Sequence, residues 1–444
     1  MKKYFGTDGI RGVANEFLTP ELAFKLARVL GKRISSNTGK RPYVYVGKDS
    51  RLSSPLLEYS LISGFLASGI DVKRLHLTPT PGVAYLTKST EASMGIMVSA
   101  SHNPYFDNGI KIFGESGFKL RDDEELEIES EIDNGEIERS TYENVGEVLN
   151  RHESIYQYIE SLFFSVNSRF DGLKIGLDCA NGSTSVIAKR LFTRLGADVL
   201  VINDHPNGKN INDNCGATEI GQITKLVIDN KLDVGFAFDG DGDRVICVDN
   251  MGNPVDGDHM LMILSKQMAK NNKLNNGRVA TTVMSNMGLF NSLEAESVEV
   301  NVTDVGDRYV LANMIDNGLN LGGEQSGHII MLDYNTCGDG MLVALKLTEI
   351  MVKNELKMSE LSSGLTKYPQ LLGKITVSNK TEIMENTSLL ARIKDANKTL
   401  GRDGRVLIRP SGTEPVIRVM VEAVDIKLCK QYYKEMFGLV EKLA

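Results

Sequence analysis

Cysteine is scarce in this chain. The 444 residues include five cysteines, which are scattered and never form a C-x-x-C pair: Cys179, Cys215, Cys247, Cys337 and Cys429. Disulfide frameworks and thiolate zinc sites need closely spaced, paired cysteines. The composition therefore disfavours both and predicts a protein of the reducing cytoplasm.

Long apolar runs are also missing. No stretch approaches the roughly 20 apolar residues that span a bilayer. The opening MKKYFGTDGIRG carries charge with no apolar run behind it, so we expect neither a membrane helix nor a signal peptide. A formal net charge of −8 argues against binding to nucleic acid or an acidic membrane, because a phosphate backbone needs a positive face. A local basic pocket that binds one phosphate is still compatible with this negative net charge.

Several catalytic signatures are absent as well. The chain has no G-x-x-x-x-G-K-[ST], no G-x-G-x-x-G after the first strand and no H-E-x-x-H, and Ser101 is not in a G-x-S-x-G motif. These absences disfavour a P-loop kinase, a standard dinucleotide enzyme, a zincin and a hydrolase elbow.

Short apolar runs alternate with helical patterns, which is typical of α/β architecture. The chain exceeds the size at which one hydrophobic core usually keeps growing, so we predict three or four domains. Thr19-Pro20-Glu21 combines a hydroxyl N-cap, a proline and an acid, which predicts a helix start. A helix is also predicted over 183–195, and strand, helix, strand, strand, helix from about residue 371.

Four polar loops each follow a short apolar run. They are SASHNP after Val98, DGDGDR after Phe238, GEQSGH after Leu321 and RPSGTEP after Ile408. Because α/β sheets bind ligands at strand ends, we expect the four loops, about one per domain, to converge on one cleft.

The motif DGDGDR places Asp239, Asp241 and Asp243 at alternate positions. The intervening glycines let three carboxylates face one point, and hard oxygen ligands in that number suit Mg²⁺. An EF-hand is excluded, since Arg244 and Asn250 replace its glycine and glutamate. The alternative is an acidic turn, but three unneutralised carboxylates would repel one another.

The motif SASHNP places Ser101 just past a predicted buried strand. A serine that accepts and returns phosphoryl needs a cation to neutralise charge and a base to take its proton. The aspartates would hold the cation, and His102 and Lys111 are nearby candidates for the base. By themselves these residues also fit a turn hydroxyl, a packed loop histidine and a solvated lysine.

The motif RPSGTEP, followed by Arg418, combines two guanidinium groups, two hydroxyls and a glycine-exposed backbone. Such a set can bind phosphate, although an ordinary hairpin explains it equally well.

The motif GEQSGH offers donors and acceptors of the kind that vicinal sugar hydroxyls need. The residues are Glu324, Gln325, Ser326 and His328. Taken alone, it also fits a polar hairpin.

Together these motifs, with FGTDGIRG, resemble the α-D-phosphohexomutase superfamily, in order from residue 5 to residue 418. The resemblance implies three similar α/β domains with mixed sheets plus a smaller C-terminal α+β domain, arranged around a central cleft. The implied domains are 1–150 with a phosphoserine loop, 151–255 with a metal loop, 256–368 with a sugar loop and 369–444 with a phosphate loop.

The resemblance also implies roles for single residues. Ser101 would carry a phosphoryl group and, with the three aspartates, hold one Mg²⁺ per subunit. Arg11 and Arg244 would lie near the moving phosphoryl group, and Lys111 or His328 would act as general acid/base. The residues implied to bind the sugar or the non-reacting phosphate are Gly306, Asp307, Glu324, Gln325, Ser326, Arg409, Ser411, Gly412, Thr413 and Arg418.

Gln325 is the main marker of the branch that acts on glucosamine phosphates. That branch interconverts glucosamine 6-phosphate and glucosamine 1-phosphate and supplies UDP-N-acetylglucosamine for peptidoglycan precursors. The chain departs from the usual pattern at Ala217, Glu219 and Asp304, outside the phosphoryl-transfer set. A mutase for mannose or glucose phosphates, and a phosphosugar-binding regulator, are the alternatives.

The resemblance finally implies partners. We expect hexosamine phosphates as ligands, a hexose 1,6-bisphosphate as activator, no nucleic acid or membrane partner, and a homodimer.

Overall fold

A computed structural model describes residues 2–34, 41–135, 139–411 and 415–444 of the chain. They divide into two compact units. The first is Met1–Met284 with Ser297–Ser363, and the second is Ser285–Glu296 with Gly364–Ala444. In the described ranges no helix combines the length and the apolar character needed to cross a bilayer.

The first sheet of the first unit has seven strands: β1 (Phe5–Gly6), β2 (Gly9–Val13), β3 (Tyr43–Lys48), β4 (Asp71–Leu77), β5 (Met94–Val98), β6 (Asp107–Gly114) and β7 (Val148–Asn150). They are joined in the order β1-β2-β6-β5-β3-β4-β7. The accompanying helices are α1 (Pro20–Arg33), α2 (Ser54–Leu66), α3 (Thr80–Ser89) and α4 (Asp122–Asn134).

The second sheet has five strands, in the order β12-β11-β10-β8-β9. The elements of this part of the chain are α5 (Ile155–Ser165), β8 (Lys174–Asp178), α6 (Ala188–Arg194), β9 (Asp198–Ile202), α7 (Gly221–Asn230), β10 (Val234–Phe238), β11 (Val245–Asp249) and β12 (Pro254–Val255).

The third sheet has four strands, in the order β14-β13-β15-β16. Its part of the chain holds α8 (Gly257–Lys270), β13 (Arg278–Thr282), α9 (Met287–Ala295), β14 (Glu299–Thr303), α10 (Asp307–Asp316), β15 (Leu321–Gly323), β16 (Ile329–Met331), α11 (Gly340–Asn354) and α12 (Met358–Ser362). Helix α9 groups with the second unit, although in the chain it comes between β13 and β14 of the first unit.

The second unit holds a three-stranded antiparallel sheet in the order β17-β19-β18. Its elements after α9 are β17 (Gln370–Thr376), α13 (Lys380–Met384), α14 (Thr387–Leu400), β18 (Gly404–Pro410), β19 (Val416–Ala423) and α15 (Ile426–Leu443). The expected α/β class, with a smaller C-terminal α+β part, is confirmed.

One four-strand topology occurs three times in the first unit. The orders β6-β5-β3-β4, β11-β10-β8-β9 and β16-β15-β13-β14 are equivalent, each with three parallel strands and an antiparallel fourth at one edge. The loops that join the third strand to the antiparallel one are 99–106, 239–244 and 324–328. Three of the four polar motifs thus occupy the same topological position.

Local signals explain several element starts. The side chain of Thr19 accepts a hydrogen bond from the backbone N–H of Leu22, and Pro20 is the first residue of α1, so the predicted start is confirmed. The apolar side of this helix, including Leu26 and Leu30, packs in the core with strand residues such as Val44.

Two predicted elements differ from the structure. The helix expected over 183–195 is instead a 3₁₀ turn, Ser183–Val186, followed by α6. The N–H and hydroxyl of Ser183 both donate to the carbonyl of Gly240, at 2.9 and 3.2 Å, which ties this segment to the aspartate loop. In the tail, two helices replace one because Asn386 caps a new helix, accepting from Leu389 N.

Phe236 lies at the centre of β10 and is fully buried, with its ring 6.0 Å from that of Phe192. Replacing Phe236 by Ala should lower the free energy of unfolding by about 3–5 kcal/mol, because it removes buried apolar surface and leaves a cavity. Urea unfolding followed by circular dichroism measures this.

The matched control is Phe164→Ala, because that side chain is 71% exposed. It should change the free energy of unfolding by less than about 0.5 kcal/mol. Equal unfolding midpoints for the two variants would contradict the packing described here.

Candidate active site

Ser101 lies in the loop that follows β5. Its side chain is buried, with 1% of the residue exposed, and its backbone is left-handed with φ +54°. Its hydroxyl donates to Asp239 Oδ2 at 2.5 Å, and His102 Nδ1 lies 3.3 Å from Oγ. Burial, then the positive Arg244 and Arg11, lower the pKa of His102 to about 4. The serine hydroxyl and a neutral imidazole therefore face the aspartate loop together.

The three aspartates of the loop between β10 and β11 are buried, and one carboxylate oxygen from each lies within 4.8 Å of the other two. Asp239 Oδ1 accepts from the backbone of Arg244 at 3.1 Å, and Asp241 Oδ2 accepts from Thr80 Oγ1. A Cβ on Gly240 would lie 2.6 Å from the carbonyl oxygen of Ser101. The glycine at 240 therefore lets the two loops approach.

These aspartates fit a divalent cation. Asp241 Oδ1 and Asp243 Oδ1 are buried and have no hydrogen-bond partner among the described residues. Burial and the neighbouring Asp243 and Asp241 raise the pKa of Asp239 well above its usual range. A hard cation bound by these oxygens would satisfy the orphan atoms and relieve the mutual repulsion.

Lys111, on β6, supplies the positive charge that faces the aspartates. Its Nζ donates to Asp241 Oδ2 at 2.7 Å and to Asp243 Oδ2 at 2.8 Å, and lies 3.2 Å from Asp8 Oδ2. Burial alone would lower the pKa of Lys111, but Asp241, Asp243 and Asp8 raise it well above its usual range.

His328 lies on the other side of Asp243. Its Nδ1 is 3.7 Å from Asp243 Oδ1 and its Nε2 is 3.6 Å from Asp307 Oδ2. Burial opposes a charge on this ring, but Asp243 and Asp307 raise its pKa. Nε2 also accepts from the backbone N–H of Gly338 at 3.2 Å, so in this geometry the ring is neutral and carries its proton on Nδ1.

Two further residues complete the charged cluster. Lys119 pairs with both Asp8 and Asp307, and Asp8 also pairs with Arg11. Asp8 could have been noticed in the motif FGTDGIRG, whereas Lys119 belongs to none of the motifs found in the sequence. The ion pairs form a chain of alternating charge through Asp243, Lys111, Asp8, Lys119 and Asp307, and the His328 ring lies between the two ends of that chain.

Arg11 and Arg244 lie at the same centre. The pKa of Arg244 is raised because Asp243, Asp239 and Glu324 outweigh its burial, so the side chain is a permanent cation. Arg11 Nε and Arg244 Nε are buried and have no hydrogen-bond partner in the described part of the chain. Free donors on two guanidinium groups suit a phosphoryl oxygen.

The loop between β15 and β16 holds the predicted sugar-binding residues. Glu324 Oε1 accepts from the backbone N–H of Gly306 at 3.0 Å, and Ser326 Oγ lies 3.5 Å from Glu324 Oε2. The Gln325 amide donates to Asp258 Oδ2 at 3.1 Å. In this structure the Gln325 side chain therefore anchors the loop to α8.

The predicted phosphate-binding residues belong to the second unit. Arg409 on β18 lies directly opposite Arg418 on β19, which lies opposite Lys374 on β17. Lys380 Nζ donates to the carbonyl of Ser411 at 2.7 Å. Gly412 and Thr413 lie outside the described residues.

The first three polar loops therefore come together in one unit, as predicted. The fourth belongs to the other unit, and its part in the same cleft stays a prediction.

Four family models match the chain. They are described as phosphoglucomutase/phosphomannomutase alpha/beta/alpha domain I at residues 2–139, domain II at 155–252, domain III at 256–368 and the C-terminal domain at 372–439.

Solved structures share the fold. A phosphoglucomutase/phosphomannomutase family protein from Burkholderia thailandensis has a TM-score of 0.84 at 24% identity, over 99% of this chain and 97% of that one. An Aspergillus fumigatus N-acetylphosphoglucosamine mutase, solved with GlcNAc-6P and magnesium, has a TM-score of 0.67 at 16% identity, over 99% of this chain and 96% of that one.

Curated relatives are more similar in sequence. Phosphoglucosamine mutases from Bacillus cereus and Bacillus anthracis are each 48% identical to this chain over 443 residues. The match covers 99% of this chain and 99% of each relative. The chain therefore belongs to the phosphoglucosamine mutase family of the α-D-phosphohexomutase superfamily.

Proposed function

We propose that this isomerase interconverts glucosamine 6-phosphate and glucosamine 1-phosphate through a phosphoryl group carried on Ser101. The observation that carries the proposal is the buried Ser101 hydroxyl, 2.5 Å from Asp239 and beside two further aspartates and Lys111. Family membership supports the same chemistry.

Asp239, Asp241, Asp243 and the seryl phosphate would hold one Mg²⁺ per subunit. The cation would neutralise the charge of the transferring phosphoryl group. The buried oxygens of Asp241 and Asp243 that lack partners support this assignment.

In the first transfer, O1 of glucosamine 6-phosphate attacks the phosphorus on Ser101. The bond between phosphorus and O1 forms as the bond between phosphorus and Ser101 Oγ breaks. The O1 proton passes to a general base, and the serine oxygen regains a proton. Lys111 enters this transfer as a charged donor that can return a proton to the serine oxygen, because its pKa is raised, and His328 is the other candidate for the proton handling. Arg11 and Arg244 would bind the phosphoryl oxygens.

The second transfer runs the chemistry in reverse. Glucosamine 1,6-bisphosphate turns over, and its 6-phosphoryl group passes to Ser101, which leaves glucosamine 1-phosphate. A hexose 1,6-bisphosphate would therefore act as activator, because it can phosphorylate Ser101. The polar groups proposed to hold the ligand in both orientations are Gly306, Asp307, Glu324, Ser326, Arg409, Ser411, Gly412, Thr413 and Arg418.

A mutase for mannose or glucose phosphates would use the same centre. The curated relatives at 48% identity do not favour that alternative. A non-catalytic regulator is disfavoured because Ser101, Lys111 and all three aspartates are present and assembled. The homodimer stays a prediction.

Replacing Ser101 by Ala should lower kcat with glucosamine 6-phosphate at least about 10³-fold, because it removes the group that carries the phosphoryl. Intact-mass analysis should find one phosphoryl group on the wild type and none on the variant.

Ser63→Ala is the control, since that hydroxyl bonds only to the preceding helical turn among the described contacts. This variant should carry one phosphoryl group in intact-mass analysis and keep wild-type activity. Normal turnover by the Ser101→Ala protein would contradict the phosphoserine scheme.

Replacing Asp241 by Asn should weaken Mg²⁺ binding at least about 100-fold, because loss of an outer partner of a metal ligand already costs 10–100-fold. Isothermal titration calorimetry with Mg²⁺ measures the change, and activity should fall with it.

Asp229→Asn is the control, because Asp229 is exposed on α7 and pairs with Lys225. It should bind Mg²⁺ as the wild type does. Wild-type Mg²⁺ affinity in the Asp241 variant would place the metal elsewhere, and activity that survives a chelator would contradict a metal requirement.

A further inference from the structure

The backbone at Ser101 has an uncommon conformation that something must hold. A φ of +54° is left-handed, which residues with a Cβ rarely adopt. The direction of Oγ toward Asp239 depends on this backbone, since the side chain is short. The groups bonded to the N–H and the carbonyl of Ser101 therefore decide where the hydroxyl lies.

Arg51 is the main group on the carbonyl side. It lies between β3 and α2, and its side chain is completely buried. Its Nη2 donates to the carbonyls of Ser101 and Asn103, at 2.9 and 2.8 Å. Its Nη1 donates to the carbonyls of Pro104 and Asp107. One guanidinium thus binds four carbonyls along the loop from β5 to β6.

The fifth donor of Arg51 is also engaged. Nε donates to Asp49 Oδ2 at 2.8 Å. Because a guanidinium has five N–H donors, none is left for a phosphate or a sugar. Arg51 can therefore act on the reaction only through the loop it holds.

Asp49 connects this arginine to the N–H side of Ser101. Asp49 Oδ2 also accepts from Ser99 Oγ at 2.6 Å, and Ser99 Oγ accepts from the Ser101 N–H at 2.9 Å. Both peptide groups that flank the Ser101 Cα are thus tied to one buried ion pair.

A second donor reaches the same carbonyl from another part of the chain. Asn212 Nδ2 donates to the carbonyls of Ser101 and Asn103, at 2.9 and 3.1 Å. Asn212 follows β9, in the part of the chain that also holds the aspartate loop. The Ser101 carbonyl is therefore held by donors from two separate parts of the chain, Arg51 and Asn212.

We propose that Arg51, oriented by Asp49 and assisted by Ser99, is a positioning residue that fixes the nucleophile loop so that Ser101 Oγ points at the aspartates. This inference rests on the proposed function of Ser101. It assigns Arg51 no contact with substrate, so its loss should lower kcat and leave substrate binding nearly unchanged.

The test compares Arg51→Lys and Ser99→Ala with the wild type. Lysine keeps the charge but cannot span four carbonyls, and Ser99→Ala removes one hydroxyl that links Asp49 to the Ser101 N–H. We expect kcat to fall about 100-fold for Arg51→Lys and about tenfold for Ser99→Ala, because small displacements of reacting groups cost this much. KM for glucosamine 6-phosphate should stay within about threefold in both.

Arg74→Lys is the matched control. Arg74 makes a two-armed pair with the buried Glu58 in the same sheet-and-helix layer, at 2.7 and 2.8 Å, and does not contact the serine loop. It should keep wild-type kcat and KM, while its unfolding temperature reports the cost of the same substitution in a purely structural pair.

A second readout is the rate at which glucose 1,6-bisphosphate phosphorylates Ser101, followed by intact mass. It should fall in parallel with kcat in both variants. A wild-type kcat in either folded variant overturns the proposal. If Arg51→Lys does not fold, Ser99→Ala decides the question alone.

The wild type separates this proposal from the proposed function. If the wild type turns over with no phosphoryl group ever found on Ser101, the proposed function fails. If the wild type uses Ser101 and the folded variants match it, only the positioning role fails.

Discussion

The rest of the site depends on one electrostatic constraint, which is the confinement of three buried carboxylates beside a serine hydroxyl. Asp239, Asp241 and Asp243 would repel one another without positive partners, and Lys111 contacts two of them directly. The same negative charge raises the pKa of Lys111 well above its usual range. The predicted metal ligands, a charged lysine and the proposed nucleophile thus belong to the same concentration of charge.

The fold meets this constraint by repetition. The same four-strand order occurs three times in the first unit, and each repeat ends its third strand at a functional loop. The three loops supply different side chains, namely a serine hydroxyl, three carboxylates and the polar groups proposed to bind the sugar. Ion pairs that cross from one repeat to another, such as Lys119 with Asp307 and Lys111 with Asp243, hold the loops at fixed distances.

Sequence patterns predicted much of this site, but only the parts that are formed by residues close together in the chain. The spacing of DGDGDR predicted three converging carboxylates, and apolar runs before each polar loop predicted the strand ends. Lys119 and Arg51 could not be found this way, because their partners lie up to 188 and 56 residues away in the chain. The helix expected over 183–195 failed for a similar reason, since Gly240 binds its first turn from a distant loop.

The most direct test of the account compares kcat/KM for glucosamine, glucose and mannose 6-phosphates in one assay, with Mg²⁺ and a hexose 1,6-bisphosphate present. A preference of tenfold or more for glucosamine, or about 1.4 kcal/mol of transition-state discrimination, is the expected result. Equal or better turnover of glucose or mannose phosphate would preserve the phosphoryl chemistry and contradict the assignment of glucosamine 6-phosphate as the substrate.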